Sequence, residues 1–102
     1  MAFLYLSYDL PAEDRIERYA EVALQIVRDL RTVEGFKGIT GLRTADHQSP
    51  EVVVIVEFES EDQVRGMLYG TFIAGQFKRL RQCGCTNLMA RLYYASPIIP
   101  RA

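Results

Sequence analysis

The spacing of apolar residues along the chain predicts four strands and two helical regions. Aromatic and aliphatic side chains fill the stretch from Phe3 to Tyr8, which is typical of a strand. From near Pro11 to near Thr32, apolar residues recur every three or four positions, and charged residues lie between them. This spacing predicts a long amphipathic helix that ends before Gly35.

The middle of the chain predicts a hairpin. Residues 36–44 form the weaker strand, because Gly38 and Gly41 are unfavourable in a strand and often mark a bulge. Residues 51–58 contain an unbroken run of β-branched side chains and form the clearest strand. The polar connection between them is short, which favours antiparallel pairing.

A second helical region and a last strand complete the pattern. Ser60 and Gln63 match a capping box at a helix start. Gly70-Thr71 interrupts the apolar spacing that follows, which predicts either one kinked helix or two short helices with Thr71 capping the second. Gly84 ends this region, and residues 86–95 form the last strand.

The element order is strand, helix, strand, strand, helix, strand. It predicts an α+β, ferredoxin-like βαββαβ fold with a four-stranded antiparallel sheet. A length of 102 residues predicts one domain spanning residues 1–102.

Three of the four strands carry apolar side chains on both faces. In the third strand, Val52 and Val54 oppose Val53 and Ile55. Two helices cover only one face of such a sheet, and the other face would expose more apolar surface than a monomer usually does. The sequence therefore predicts a homodimer that packs through its sheet faces. The alternative is a monomer whose apolar tail, Ile98-Ile99, folds over the face.

Charge and composition exclude several classes of partner. The 12 basic and 13 acidic residues leave a net charge of −1, so nothing favours a nucleic acid or an anionic membrane as a partner. No apolar run approaches the ~20 residues of a membrane span. The apolar N-terminus has no basic flank and no cleavage site, so it is interpreted as a strand rather than a signal peptide. We expect a cytoplasmic protein.

The cysteines and the histidine favour no metal site. Cys83 and Cys85 are too few for a closed zinc site, and a bridge between residues two apart would be strained. The pair is interpreted as the end of a helix around Gly84. His47 is the single histidine and lies in a polar turn, where it is either a candidate general base or an exposed loop residue.

One charge stands out in the last strand. Arg91 lies among apolar neighbours, on the same face as Asn87, Met89 and Tyr93. A buried charge needs a partner, so Arg91 could bind the carboxylate or phenolate of a ligand. It could equally pair with Glu57 or protect a sheet edge. Tyrosines elsewhere in the chain suit either a flat aromatic ligand or simple packing.

Two short stretches carry a family resemblance. Residues 33–38, Val-Glu-Gly-Phe-Lys-Gly, and residues 56–62, Val-Glu-Phe-Glu-Ser-Glu-Asp, resemble two junctions of the antibiotic-biosynthesis-monooxygenase-like domains. These domains belong to the dimeric α+β barrel superfamily, which includes cofactor-free oxygenases of aromatic polyketides and haem-degrading enzymes. Haem-degrading relatives use an Asn, a Trp and a His. Here Ser7 lies near the Asn position, Trp is absent and Phe72-Ile73 lies where the His is expected, which disfavours haem degradation.

The resemblance implies a small-molecule site between the helices and the sheet. The hypothesis is a cofactor-independent monooxygenase of an aromatic or quinol-type substrate, in which Arg91 stabilises the substrate anion and His47 is a more distant candidate base. The residues assigned to substrate binding are Tyr5, Tyr69, Tyr93 and Asn87. The alternative is a non-enzymatic dimeric module for ligand binding or protein interaction. Neither interpretation invokes a cofactor.

Overall fold

A computed structural model describes residues 1–100 and confirms the predicted fold class. The elements are β1 (Ala2–Asp9), a 3-10 turn (Glu13–Arg15), α1 (Ile16–Arg31), β2 (Phe36–Arg43), β3 (Val52–Phe58), α2 (Glu61–Tyr69), α3 (Phe72–Gln82) and β4 (Thr86–Tyr94). The strands form one antiparallel sheet in the order β2-β3-β1-β4. The helices pack on one face of that sheet.

The first helix begins later than the sequence predicts. Ala12 has an extended backbone, and the chain then makes a 3-10 turn before α1 starts at Ile16. Within α1, Val22, Ile26 and Leu30 are buried at intervals of four residues, as the amphipathic pattern predicts. Gly35, with a φ of +86°, then turns the chain into β2.

The second helical region is two helices, which decides between the two predicted alternatives. Gly70 has an extended backbone between α2 and α3, so the helical hydrogen bonds stop there. Thr71 precedes α3, but its side chain makes no capping hydrogen bond. At the start of α2, the Ser60 amide donates to Oε1 of Gln63 over 3.1 Å, which is one half of the predicted capping box.

The register of the sheet separates its two faces. Leu4 of β1 lies opposite Val56 of β3 and Leu92 of β4, and these side chains face the helices. The predicted hairpin pairs β2 with β3, and its register shifts between Phe36 and Gly38, where a bulge was expected. The helix-facing side is the core, because Leu4, Val56 and Phe58 have no solvent exposure.

The other side of the sheet, here called the open face, carries apolar side chains with no helix over them. It is formed by Phe3, Tyr5, Leu42, Val53, Ile55, Met89 and Tyr93. Those of β1 and β3 are half-buried, and Met89 and Tyr93 are exposed. The tail does not cover this face, since Ile98 is 88% and Ile99 72% exposed. The apolar character predicted for both faces is therefore confirmed.

Candidate functional site

The surface of the protein has two concave regions, and both lie where helices meet the sheet. The first, the α1 cavity, lies between α1 and the strands β1, β2 and β3 and has a volume of about 220 Å³. The second, the β4 groove, lies between α2, α3 and the edge strand β4, and has about 800 Å³ open to solvent. They differ in both polarity and position.

The α1 cavity is apolar apart from two tyrosines and one arginine. Helix α1 contributes the amphipathic stripe that faces the sheet, and the sheet contributes its helix-facing row. The aliphatic lining includes Leu6, Ala23, Ile26, Val27, Leu30, Ile39, Val52, Val54 and Leu80. Such a lining, with few polar groups, is typical of sites for small organic ligands.

A pair of tyrosine hydroxyls supplies the polar end of this cavity. Tyr8, the last helix-facing residue of β1, is 4% exposed, and its hydroxyl lies 2.6 Å from that of Tyr19 on α1. Their rings meet edge to face with centroids 5.9 Å apart. One hydroxyl donates to the other, so one O–H proton of the pair is left to donate to a ligand.

Burial decides the protonation of this pair. Desolvation raises the pKa of Tyr8 far above its ordinary value, and the hydrogen bond with Tyr19 adds to the rise. Desolvation also raises the pKa of Tyr19, although the bond to Tyr8 works in the opposite direction there. The positive charge of Arg43 lowers the pKa of both tyrosines but does not offset burial. Both side chains are therefore neutral proton donors at physiological pH.

Residues that sequence reasoning did not select form this site: Tyr8, Tyr19 and Arg43. A signal for the tyrosines was present in the pattern. Tyr8 follows Leu4 and Leu6 on one face of β1, and Tyr19 lies on the apolar stripe of α1. A tyrosine on each of two facing apolar rows predicts a buried hydroxyl pair, because a buried hydroxyl needs a partner.

The β4 groove brings together one residue predicted to be catalytic and two predicted to bind substrate. Arg91, Tyr69 and Tyr93 line it, with a floor that includes Leu68, Ile73 and Phe77. Arg91 and Tyr93 are, however, side chains of the open face, and Tyr69 is 80% exposed. These residues therefore lie at the open rim of the groove, because the alternation of β4 turns Arg91 and Tyr93 towards the open face. Their role in binding a substrate stays a prediction.

Tyr5 lies beside this group on the open face. It pairs across the sheet with Arg91, and its ring meets that of Tyr93 edge to face at 5.5 Å. Nε of Arg91 donates to Sδ of Met89 over 3.1 Å. Glu57 is the alternative partner predicted for Arg91. It lies on β3, which is separated from β4 by β1, and it pairs with Phe3, two residues from the Tyr5 that pairs with Arg91. The catalytic role of Arg91 stays a prediction.

Asn87 and His47 lie apart from both concave regions. Asn87 adopts a φ of +53° and donates to the Asp9 carboxylate over 2.5 Å. Ser49 donates to the same carboxylate over 2.8 Å, and these bonds lower the pKa of Asp9. The Asp9 cluster thus ties the end of β1 to β4 and to the β2–β3 connection. His47, with a φ of +62°, is exposed in that connection, and its role as a base stays a prediction.

The described residues offer neither a metal-binding cluster nor a membrane-spanning helix. Within residues 1–100, no group of three or more His, Cys, Asp or Glu side chains is placed to hold a metal ion. No helix in that range combines the length and apolarity needed to cross a membrane. Cys83 and Cys85 are free and buried, and burial raises the pKa of Cys85 to about 11.

Comparison with known proteins places the fold. No protein-family model matches the chain, and no curated protein matches it in sequence. Among solved structures, a Deinococcus radiodurans protein assigned to the antibiotic biosynthesis monooxygenases superposes with a TM-score of 0.76 at 13% identity, covering 100% of this chain and 99% of its own. A mutant of SnoaB, a cofactor-independent oxygenase from Streptomyces nogalater, gives 0.73 at 18% identity, covering 98% and 97%.

A third neighbour is relevant to assembly. A dimeric ferredoxin-like protein of unknown function from Jannaschia superposes with a TM-score of 0.66 at 10% identity, covering 92% of this chain and 98% of its own. At these identities the likeness concerns the fold. The resemblance predicted from the two junctions is confirmed at the level of the fold: the chain shares the ferredoxin-like fold of these solved structures, which include antibiotic-biosynthesis-monooxygenase-like proteins.

Proposed function

We propose that this protein is a homodimer that binds a small aromatic ligand in the α1 cavity and oxygenates it without a cofactor. The observation that carries the proposal is the Tyr8–Tyr19 hydroxyl pair beside Arg43 in an otherwise aliphatic cavity. SnoaB, which shares the fold, is a cofactor-independent oxygenase, and this supports the proposed reaction type. The ligand would be small, since the cavity lies below the usual range of roughly 300–1,000 Å³.

The polar groups of the cavity suit a substrate that becomes an anion. The neutral tyrosines donate a hydrogen bond to a phenolate or enolate oxygen, and Arg43 supplies positive charge. Donors fixed in an apolar surrounding stabilise such an oxyanion more strongly than water does. The same donors give little to a neutral hydrocarbon, so the cavity favours phenols and quinols over unsubstituted rings.

Deprotonation depends on the substrate itself. The described residues that line the α1 cavity include no carboxylate and no imidazole, and the raised pKa values exclude the tyrosines as bases at neutral pH. Arg43 and the hydroxyl pair lower the pKa of a bound phenol or anthrone by stabilising its anion. The substrate class is therefore one whose C–H or O–H is already acidic.

The proposed step balances with dioxygen as the oxidant. The substrate CH₂ group loses one proton to water, its carbanion transfers electrons to O₂, and a C–O bond forms at that carbon. The resulting peroxide anion takes up a proton from water to give a hydroperoxide. Loss of water from the hydroperoxide leaves a carbonyl, so an anthrone-like CH₂ group becomes C=O and the second oxygen atom leaves as water. The substrate supplies all four electrons, and the protein only binds, orients and stabilises the anion.

The homodimer is proposed from the open face. Its half-buried row on β1 and β3, including Tyr5 and Ile55, would bury against the same row of a second copy. Each large apolar side chain that becomes buried contributes roughly 1.5–3 kcal/mol. The dimeric ferredoxin-like neighbour supports this assembly. Two-fold packing of two sheets gives each subunit the cover that its helices do not provide.

Oxygen consumption tests the oxygenase. We expect the purified protein to accelerate O₂ uptake with anthrone or a 1,4-quinol above the spontaneous rate. Tyr8→Phe should lower kcat by about 100-fold, the size expected when one oxyanion donor is removed. Arg43→Met should also lower it, whereas Arg28→Met, an exposed α1 arginine outside the cavity, is the matched control. Loss of uptake in Arg91→Met with full uptake in Tyr8→Phe would move the reaction to the β4 groove.

A non-enzymatic ligand-binding module is the second candidate, favoured by the absence of a base among the described lining residues of the α1 cavity. It predicts binding of a naphthol probe, weakened by Tyr8→Phe, with no O₂ uptake for any member of a quinol panel. Calorimetry and oxygen measurement on the same preparation separate the two functions.

A further inference from the structure

The β4 groove and the tail segment (residues 95–100) leave complementary apolar surfaces that do not meet within one chain. The groove floor includes Leu68, Ile73 and Phe77 from α2 and α3. The tail segment follows β4 directly and exposes Ile98 by 88% and Ile99 by 72%. An exposed apolar pair beside an open groove with an apolar floor is an arrangement typical of an unfilled interface.

The tail segment is suited to docking by side chains rather than by strand pairing. Pro97 and Pro100 carry no N–H, so the segment cannot extend the ladder of β4. Ser96 Oγ accepts hydrogen bonds from the amides of Ile98 and Ile99 at 3.2 and 3.0 Å, which shapes the segment into a compact turn. The two isoleucines are presented together on this turn.

The groove adjoins the surface proposed for dimerisation. Arg91 and Tyr93 line the groove and also belong to the open face, so a second copy packed on that face lies next to the groove. Packed sheets lie about 10 Å apart, and six residues span up to about 20 Å when fully extended, which requires the turn at Ser96 to open on docking. The tail segment of one subunit can therefore cross the interface and reach the groove of the other.

We propose that the tail segment of each subunit docks in the β4 groove of its partner, with Ile98 and Ile99 on the Leu68–Phe77 floor. This inference rests on the proposed homodimer and adds a reciprocal contact to it. In a two-fold dimer each tail fills one groove, so both apolar surfaces are covered without any further partner. The exposed tyrosines Tyr69 and Tyr94 would flank the docked segment.

Cross-linking between different chains tests the contact. Ala74→Cys places a thiol in the groove, and Ile99→Cys places one on the tail segment. The two single variants, carrying different tags, are mixed as dimers and oxidised. We expect a disulfide that joins the two tagged chains. Leu24→Cys, an exposed α1 position, replaces Ala74→Cys as the matched control and should give no link.

Dilution with wild-type chain distinguishes docking within one chain from docking between two chains. A chain carrying both cysteines is mixed with excess wild-type chain. A disulfide within the single chain under these conditions would overturn the proposal in favour of docking on the same subunit. A dimer that forms no link between positions 74 and 99 would overturn it as well. A chain that sediments only as a monomer would instead refute the homodimer itself.

The affinity of the dimer gives a second measurement. Ile98→Ser with Ile99→Ser should raise the dimer dissociation constant by at least about tenfold, because the contact loses its apolar burial. Leu24→Ser should leave the constant unchanged. An unchanged constant in the double variant would contradict docking of the tail segment.

Discussion

The two faces of the sheet are built from the same kinds of side chain but have different surroundings. On the covered face, Leu4 and Val56 have no exposure, because α1, α2 and α3 pack on them. On the open face, Tyr5 and Ile55, their immediate neighbours in sequence, remain half-buried. Side-chain chemistry alone does not distinguish the two faces. The number of helices does, since there are enough to cover only one of them.

This comparison separates subunit stability from assembly. Residues of the covered face hold the subunit together whether or not it dimerises. Residues of the open face contribute less to that core, because no helix packs on them. The two classes alternate along β1 and β3, so substitutions of adjacent residues distinguish the two roles within one strand.

The largest expected effect is a cavity on the covered face. Leu4→Ala should lower the free energy of unfolding by about 2–5 kcal/mol, because Leu4 is fully buried and its removal leaves an unfilled space. Leu24→Ala, at an α1 position that is 59% exposed, should change it by no more than about 0.5 kcal/mol. Urea denaturation measures both. Equal destabilisation by the two variants would contradict the division between covered and uncovered positions.

Element order and both apolar faces could be predicted from the sequence because they depend on local spacing and composition. The start of α1 at Ile16 could not, since Pro11 and the acidic first turn also suit the extended entry and 3-10 turn that precede it. The choice of two helices at Gly70 was open for a similar reason: glycine permits both a kink and a break.

The site was harder to predict than the fold. Anomalous residues such as Arg91 attract attention in a sequence, but its strand register places it on the open face. Tyr8 and Tyr19 look like ordinary apolar positions until the packing of α1 on β1 brings their hydroxyls together. The pairing of Asn87 with Asp9 joins residues 78 positions apart, which no local pattern reveals.

A charge placed on the open face tests its proposed role. Ile55→Lys should convert the dimer to a monomer, because a cation would be buried without a partner against the second sheet. The subunit should keep its fold, since the covered face is unchanged. Sedimentation and circular dichroism measure the two properties, with Leu24→Lys as the matched control. A dimer that persists at micromolar concentration would argue against packing through this face.

A smaller effect is expected from the hydroxyl pair on the covered side. Tyr19→Phe removes one hydroxyl and leaves that of Tyr8, which is 4% exposed, without its partner. The cost should be about 1–3 kcal/mol in the free energy of unfolding. Tyr69→Phe, on the surface, should cost nothing measurable. Thermal and urea denaturation measure the stability of both variants. A Tyr19→Phe protein as stable as wild type would mean that the pair does not stabilise the packing of α1 on the sheet.

The smallest effect concerns pH and the ends of the strands. Hydrogen bonds from Asn87 and then Ser49 lower the pKa of Asp9 in the folded protein. Its stabilising contribution is therefore complete above the unfolded pKa of roughly 3.9 and is lost as the pH falls through the lower folded value. Asp9→Asn should remove this dependence and flatten the decline of the urea midpoint below about pH 4.

Asp46 provides the matched comparison for that measurement. Its pKa is also lowered, by the Thr44 hydroxyl and the Gln48 amide, but these partners lie within two residues of it. Such local bonds can persist in the unfolded chain. Asp46→Asn should therefore change the decline of the urea midpoint at low pH less than Asp9→Asn does. The Asp9 bonds span 40 residues or more and exist only when β1, β4 and the β2–β3 connection are assembled. If the urea midpoint declined equally at low pH in the two variants, this long-range cluster would not help to hold the strands in register.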